Sequence, residues 1–213
     1  MLINYVGIPG CGKTYQTNLA KEYCTTNNIP YLDVSHRKDA PFVIKFLLLT
    51  IEKFVLCTKD YRNSIVYLEG KAANVTPRFL PFSISYCVQR IVCATVLNRL
   101  FGHKRMFFFD DEGVFQWVAF LHLQYGVSLE DIVDICGVAK YKWDTIYVNA
   151  PIEEAFHNIK NRNRHVCEMD EMDDKVLFKY LSEYKSACDD LSKLFNFKAN
   201  FKETLNCNGT FFN

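Results

Sequence analysis

The chain has 213 residues, 49% of them hydrophobic, which supplies a full core for one large domain. Its 25 basic residues against 24 acidic ones leave no global field to favour nucleic acid or an anionic membrane. The longest apolar stretch, residues 42–57, is interrupted by Lys45, Glu52 and Lys53 and is too short and too charged to span a bilayer. No secretory leader is read at the N-terminus, and the 9 scattered cysteines form no C-x-x-C pair, so a reducing, cytoplasmic setting is expected.

Residues 2–6, Leu-Ile-Asn-Tyr-Val, predict a short apolar strand. Residues 7–14 then read Gly-Ile-Pro-Gly-Cys-Gly-Lys-Thr, which matches G-x-x-x-x-G-K-[ST] at Gly7, Gly12, Lys13 and Thr14. A helix is predicted from Thr14 onward, so the motif lies between a strand and a helix, as a P-loop must. The glycines let the backbone approach a polyphosphate, and successive N–H groups and the helix N-terminus face the anion. Gly7, Pro9, Gly10, Cys11, Gly12, Lys13, Thr14 and Tyr15 are thus candidates for holding ATP or another nucleoside triphosphate. Lys13 is expected on the β- and γ-phosphates, and Thr14 is expected to ligate Mg²⁺.

Residues 30–34 predict a second strand, followed by a polar, basic turn with His36, Arg37 and Lys38. A buried helix is expected over residues 41–57. Residues 64–68 fit either a short strand or the end of a helix. Residues 69–81, with Gly70, Pro77 and Pro81, predict an irregular binding loop carrying Lys71 and Arg78. A long helix over 83–101 contains Arg90 and Arg99 and stops at Gly102.

Residues 106–110, Met-Phe-Phe-Phe-Asp, predict a buried central strand whose carboxyl end presents Asp110. A carboxylate there, after a P-loop, is placed to hold Mg²⁺ opposite Thr14. Glu112 is the better candidate to polarise an attacking hydroxyl or water, with Asp111 a competitor for either role. An apolar helix follows to about Tyr125, then a short helix capped by Ser128. Residues 144–148 predict a strand, and Pro151 opens a helix running to about Arg162. Arg162 and Arg164 end it and are candidates to neutralise charge on a transferring phosphoryl group. A long helix is expected from Asp173 or Asp174 to Phe195, and residues 197–207 offer a last edge strand. Strands alternating with helices predict an α/β domain with a parallel sheet of about five strands and helices on both faces.

The order is P-loop, strand ending in Asp110-Asp111-Glu112-Gly113, strand-Pro-helix-Arg-x-Arg, and long helix. It resembles the P-loop nucleoside and nucleotide kinases, such as thymidylate and adenylate kinase and their small-molecule kinase relatives. The resemblance implies one P-loop kinase-like domain over residues 1–213, with a lid within 162–174 that carries Arg162 and Arg164. It puts Asp110 or Glu112 where the family keeps its catalytic acid, and implies ATP- and Mg²⁺-dependent phosphoryl transfer to a small-molecule acceptor, a nucleoside or nucleotide among the candidates. This chain has Asp-Asp-Glu-Gly where thymidylate and deoxynucleoside kinases usually have Asp-Arg, and Asn158 where the family often places an arginine. Arg37, Arg78, Arg90 and Gln116 are candidates for holding the acceptor. Two alternatives stand beside this reading. One is a nucleic-acid-stimulated NTPase, because the P-loop and Asp-Glu-Gly also resemble the first motifs of viral superfamily 1 helicases. The other is a non-catalytic NTP-binding module. Neither a nucleic acid nor a membrane is an expected partner.

Overall fold

A computed structural model describes residues 2–34, 42–73, 75–79, 82–101, 107–110, 113–162, 168–201 and 203. Strands and helices alternate along it: β1 (Leu2–Val6), α1 (Lys13–Thr26), β2 (Tyr31–Asp33), α2 (Phe42–Cys57), α3 (Lys59–Lys71), α4 (Ile84–Phe101), β3 (Phe107–Asp110), α5 (Val114–Tyr125), α6 (Leu129–Ile135), β4 (Asp144–Tyr147), α7 (Ile152–Asn161), α8 (Glu168–Glu171) and α9 (Asp174–Phe195). Among the described residues the sheet is parallel throughout, with four strands in the order β2-β3-β1-β4.

β1 is buried along its whole length, and its alternating side chains feed two cores. Leu2 and Val6 join Phe108 and the apolar faces of α4, α5 and α9 on one side. Ile3 and Tyr5 meet Phe107, Phe109, Ile146 and the Ala20 and Cys24 face of α1 on the other. This two-sided burial explains why β1 and β3 read as nearly unbroken apolar runs.

The fifth strand expected over residues 197–207 does not form among the described residues. Lys198 alone bridges β4: Tyr147 N donates to Lys198 O at 2.8 Å, and Lys198 N donates to Thr145 O at 2.9 Å. The pairing stops because Asn200 and Glu203 start a helical turn. Glu203 N donates to Asn200 Oδ1 at 3.0 Å, and Ala199 N donates to Glu203 Oε2 at 2.9 Å, much as in a capping box. Phe201 then packs edge-on against Tyr23 and Phe107.

Residues 64–68 are helical, and the irregular stretch expected from residue 69 begins only after Lys71. Thr58 caps α3, its side chain accepting from Tyr61 N at 3.3 Å. Ser64 Oγ shares its single proton between two carbonyls, Asp60 O at 2.8 Å and Ile135 O of α6 at 2.9 Å. Tyr61, Ser64 and Leu68 form its buried face, so helical spacing prevails over the β-branched run at Ile65-Val66. Ser128 caps α6 as expected, accepting from Asp131 N at 3.1 Å.

The connections out of β1 and β3 lead to opposite edges. β1 passes through α1 to β2, while β3 passes through α5 and α6 to β4. Their carboxyl ends therefore diverge and leave a crevice, the place where open α/β sheets bind ligands.

Candidate functional site: the P-loop at the switch point

The crevice is lined on the β1 side by residues 7–14. Cys11 N donates to Ile8 O at 3.2 Å, closing the loop, and Gln16 N donates to Gly12 O at 3.0 Å, opening α1. Gly10 and Gly12 have φ values of +82° and +92°, left-handed backbone that side chains disfavour. Gly7 and Gly10 are also tightly approached. A Cβ on Gly7 would lie 2.5 Å from Val148 O, and one on Gly10 would lie 2.4 Å from Ala155 O of α7.

Lys13 Nζ folds back over the loop, donating to Gly7 O at 2.9 Å and Ile8 O at 3.2 Å, with Cys11 Sγ at 3.9 Å. A cation resting on the loop's own carbonyls is poised above the surface where phosphates would sit. Burial pushes the Cys11 thiol pKa up, and the Lys13 charge partly opposes the shift. Pro9 and Cys11 are buried, whereas Gly12, Thr14 and Tyr15 are exposed at the start of α1. Lys13 is half-buried, so Lys13, Thr14 and Tyr15 are the side chains here that reach the surface, and Pro9 has no N–H to contribute.

Asp110 ends β3 on the other lip of the crevice. It is 9% exposed and in register with Asn4 of β1. Asp111 and Glu112 lie outside the described residues, as do Arg164 and Arg37. Among the described residues no three His, Cys, Asp or Glu side chains converge on a metal position. The oxygen donors Thr14 and Asp110 fit Mg²⁺, which takes one or two protein oxygens and completes its shell with phosphates and water.

α7 forms a third wall. Besides the close approach at Gly10, Asn158 Nδ2 donates to Gly10 O at 3.0 Å. Arg162, one turn further on, caps α7 and pairs with Asp170 of α8 at 3.6 Å. Nothing in the amino-acid type of Asn158 announces its P-loop contact, which exists only because β4 delivers α7 beside β1.

The acceptor candidates separate. Arg78 is tied to Glu183 of α9 at 3.1 Å. Arg90 lies 3.7 Å from Glu52 of α2 and stacks on Trp117 with its guanidinium carbon 5.5 Å from the ring centroid. Trp117 belongs to an aromatic group with Phe82, Tyr86 and Phe120. Gln116 lies in the first turn of α5, and its buried Oε1 has no hydrogen-bond partner. The structure thus engages Arg90 with Glu52 and Trp117, and Arg78 elsewhere with Glu183. A further polar group that the sequence did not single out lies after β4. Tyr147 Oη donates to Asp189 at 2.6 Å, and Lys185 Nζ donates to Asn149. Burial and the Asp189 contact both raise the Tyr147 pKa.

No family model and no curated protein matches this chain. Solved structures do show similarity. Deoxyadenosine kinase from M. mycoides with bound dATP is 14% identical at a TM-score of 0.47, covering 93% of this chain and 90% of its own. Shikimate kinase from Bacteroides thetaiotaomicron is 12% identical at a TM-score of 0.48, covering 94% and 86% respectively. The M. mycoides enzyme with bound dCTP is 16% identical at 0.42, covering 99% and 97%. The chain's own topology carries the structural conclusion: a parallel α/β sheet in the order β2-β3-β1-β4, with the P-loop sequence at its switch point.

Proposed function

We propose that this protein transfers the γ-phosphoryl group of ATP, with Mg²⁺, to a hydroxyl or phosphate of a small-molecule acceptor. The observation that supports this most is the pairing of β1 with β3, which sets the P-loop beside Asp110 across the switch-point crevice. Lys13 swings from the Gly7 and Ile8 carbonyls onto the β- and γ-phosphates. Thr14 and Asp110 hold Mg²⁺, which neutralises phosphate charge. Glu112 orients or deprotonates the acceptor. Arg162 and Arg164 stabilise charge on the transferring group from the stretch 162–174, which serves as lid to the single domain. Transfer of this kind is mostly positioning plus electrostatics, so no covalent enzyme intermediate is required.

The test is to follow label from γ-labelled ATP in the presence of nucleosides, nucleoside monophosphates, sugars and single-stranded nucleic acid. Label arriving on a small molecule establishes the kinase and names its substrate class. Free phosphate that rises only with nucleic acid would replace this reading with a motor-type NTPase, and binding without turnover would leave a nucleotide-binding module. Glu112→Gln is expected to lower turnover more than ATP affinity. Equal losses in both would move Glu112 into the metal shell.

A further inference from the structure

Asn4 sits in the middle of β1, fully buried at 0% exposure, and neither Nδ2 nor Oδ1 of its amide has a hydrogen-bond partner. Buried amides in native proteins are almost always satisfied, and an unsatisfied one calls for an explanation. Its surroundings supply one. Asn4 is in register with Asp110 on β3 and with Thr145 on β4, so the three side chains form a buried polar row on one face of the sheet. The rest of β1 on that face, Leu2 and Val6, is apolar. Gly113, at the start of α5, rests directly on the Asn4 side chain: a Cβ there would lie 2.6 Å from Asn4 Cβ and 2.7 Å from its Oδ1.

From this juxtaposition we infer that Asn4 is a positioning residue for Asp110, its amide donating to the Asp110 carboxylate in the nucleotide-loaded state and fixing the oxygen that faces Mg²⁺. The inference rests on the phosphotransfer reading above. An amide held without a partner costs stability, whereas an apolar side chain of similar size would not. Hydrogen bonds that orient catalytic groups are commonly long or unmade in unliganded structures and tighten on loading. Groups that orient a metal-binding carboxylate typically change metal affinity or activity 10–100-fold when removed. Thr145 provides the internal control. Its Oγ1 is equally unpaired, but β1 separates it from Asp110.

The experiment compares wild type, Asn4→Leu, the smaller Asn4→Ala and Thr145→Val. Unliganded thermal unfolding is measured, and binding of a fluorescent ATP analogue is followed as Mg²⁺ is titrated. Asn4→Leu is expected to keep the wild-type Tm or exceed it by about 2 °C or more. Both Asn4 variants are expected to need about tenfold more Mg²⁺ for half-maximal enhancement of nucleotide binding, with binding in the absence of Mg²⁺ unchanged. Thr145→Val should leave the Mg²⁺ requirement alone. A wild-type Mg²⁺ requirement in both Asn4 variants overturns the inference. So does a lower Tm in Asn4→Leu, which would make the amide a structural group, or an equal Mg²⁺ shift in Thr145→Val. Wild type that binds nucleotide with no Mg²⁺ dependence would instead remove the phosphotransfer reading itself, and the Asn4 role with it.

Discussion

Two alanine substitutions in the same loop separate backbone strain from close packing. Gly10 and Gly12 both have strongly positive φ, so Gly12→Ala and Gly10→Ala each pay about 1–2 kcal/mol for a left-handed alanine. They differ in what the new methyl meets. At Gly12 no atom lies within 4 Å of the added Cβ, whereas at Gly10 the Ala155 carbonyl oxygen is 2.4 Å away and Ile159 Cγ1 is 3.0 Å away. The carbonyl belongs to the α7 backbone and has no rotamer to escape into. Relieving the overlap must shift either the P-loop or α7, at about 1–3 kcal/mol. For a chain of this size that excess lowers the Tm of Gly10→Ala by about 2–12 °C below that of Gly12→Ala. Thermal unfolding of the unliganded proteins, followed by circular dichroism, reads the difference. The displaced loop should also bind nucleotide more weakly in Gly10→Ala. Equal Tm values for the two variants would refute the claim that α7 is seated on the P-loop.

Other perturbations address the chemistry and the core. Lys13→Ala should abolish turnover while leaving the protein folded, because its Nζ makes only two hydrogen bonds to loop carbonyls, Gly7 O and Ile8 O; full activity in that variant would dismiss the P-loop assignment. Arg162→Ala should lower kcat about 100-fold or more with a smaller change in KM for ATP; an unchanged kcat would reduce Arg162 to the partner of Asp170. Burial pushes the thiol of Cys24 up to about 11 and those of Cys87, Cys136 and Cys188 up to about 12, from 9.0 in an exposed thiol. Between those values the unfolded chain has released protons that the folded chain retains, so stability is intact below pH 9 and falls as the pH rises. The Tm should therefore decline between about pH 9 and pH 11, and a flat profile would contradict the burial of these thiols.

The parts of the site that could be read from the sequence are those whose residues are contiguous. The P-loop fits in one octapeptide because its function needs only local backbone and a helix start. Asp110 was legible because a fully buried strand ending in acid is conspicuous. The α7 contribution was not, since Asn158 acts on Gly10 through tertiary placement and looks like any polar helical residue. The α3 segment was ambiguous because five residues of mixed type fit either period, and the deciding contacts, such as Ser64 to Ile135, come from a distant helix. Among the described residues the last strand shrinks to a single bridge at Lys198, because Phe197 is drawn onto Phe115 in the first core and Phe201 onto Phe107 in the second.

The interleaved strand order also bears on how the protein folds. β1 precedes the other strands in the chain, yet both of its sheet neighbours lie far along the sequence: Leu2 pairs with Phe108, and Ile3 with Asp144. Such distant parallel pairings carry a heavy loop-closure cost and form slowly. During synthesis the octapeptide has no sheet to be mounted on until β3 and β4 have left the ribosome. Under the proposed function, nucleotide capture therefore requires β3 and β4 to be in place, and the rate at which a refolding population gains affinity for ATP is expected to report closure of the sheet's longest loops.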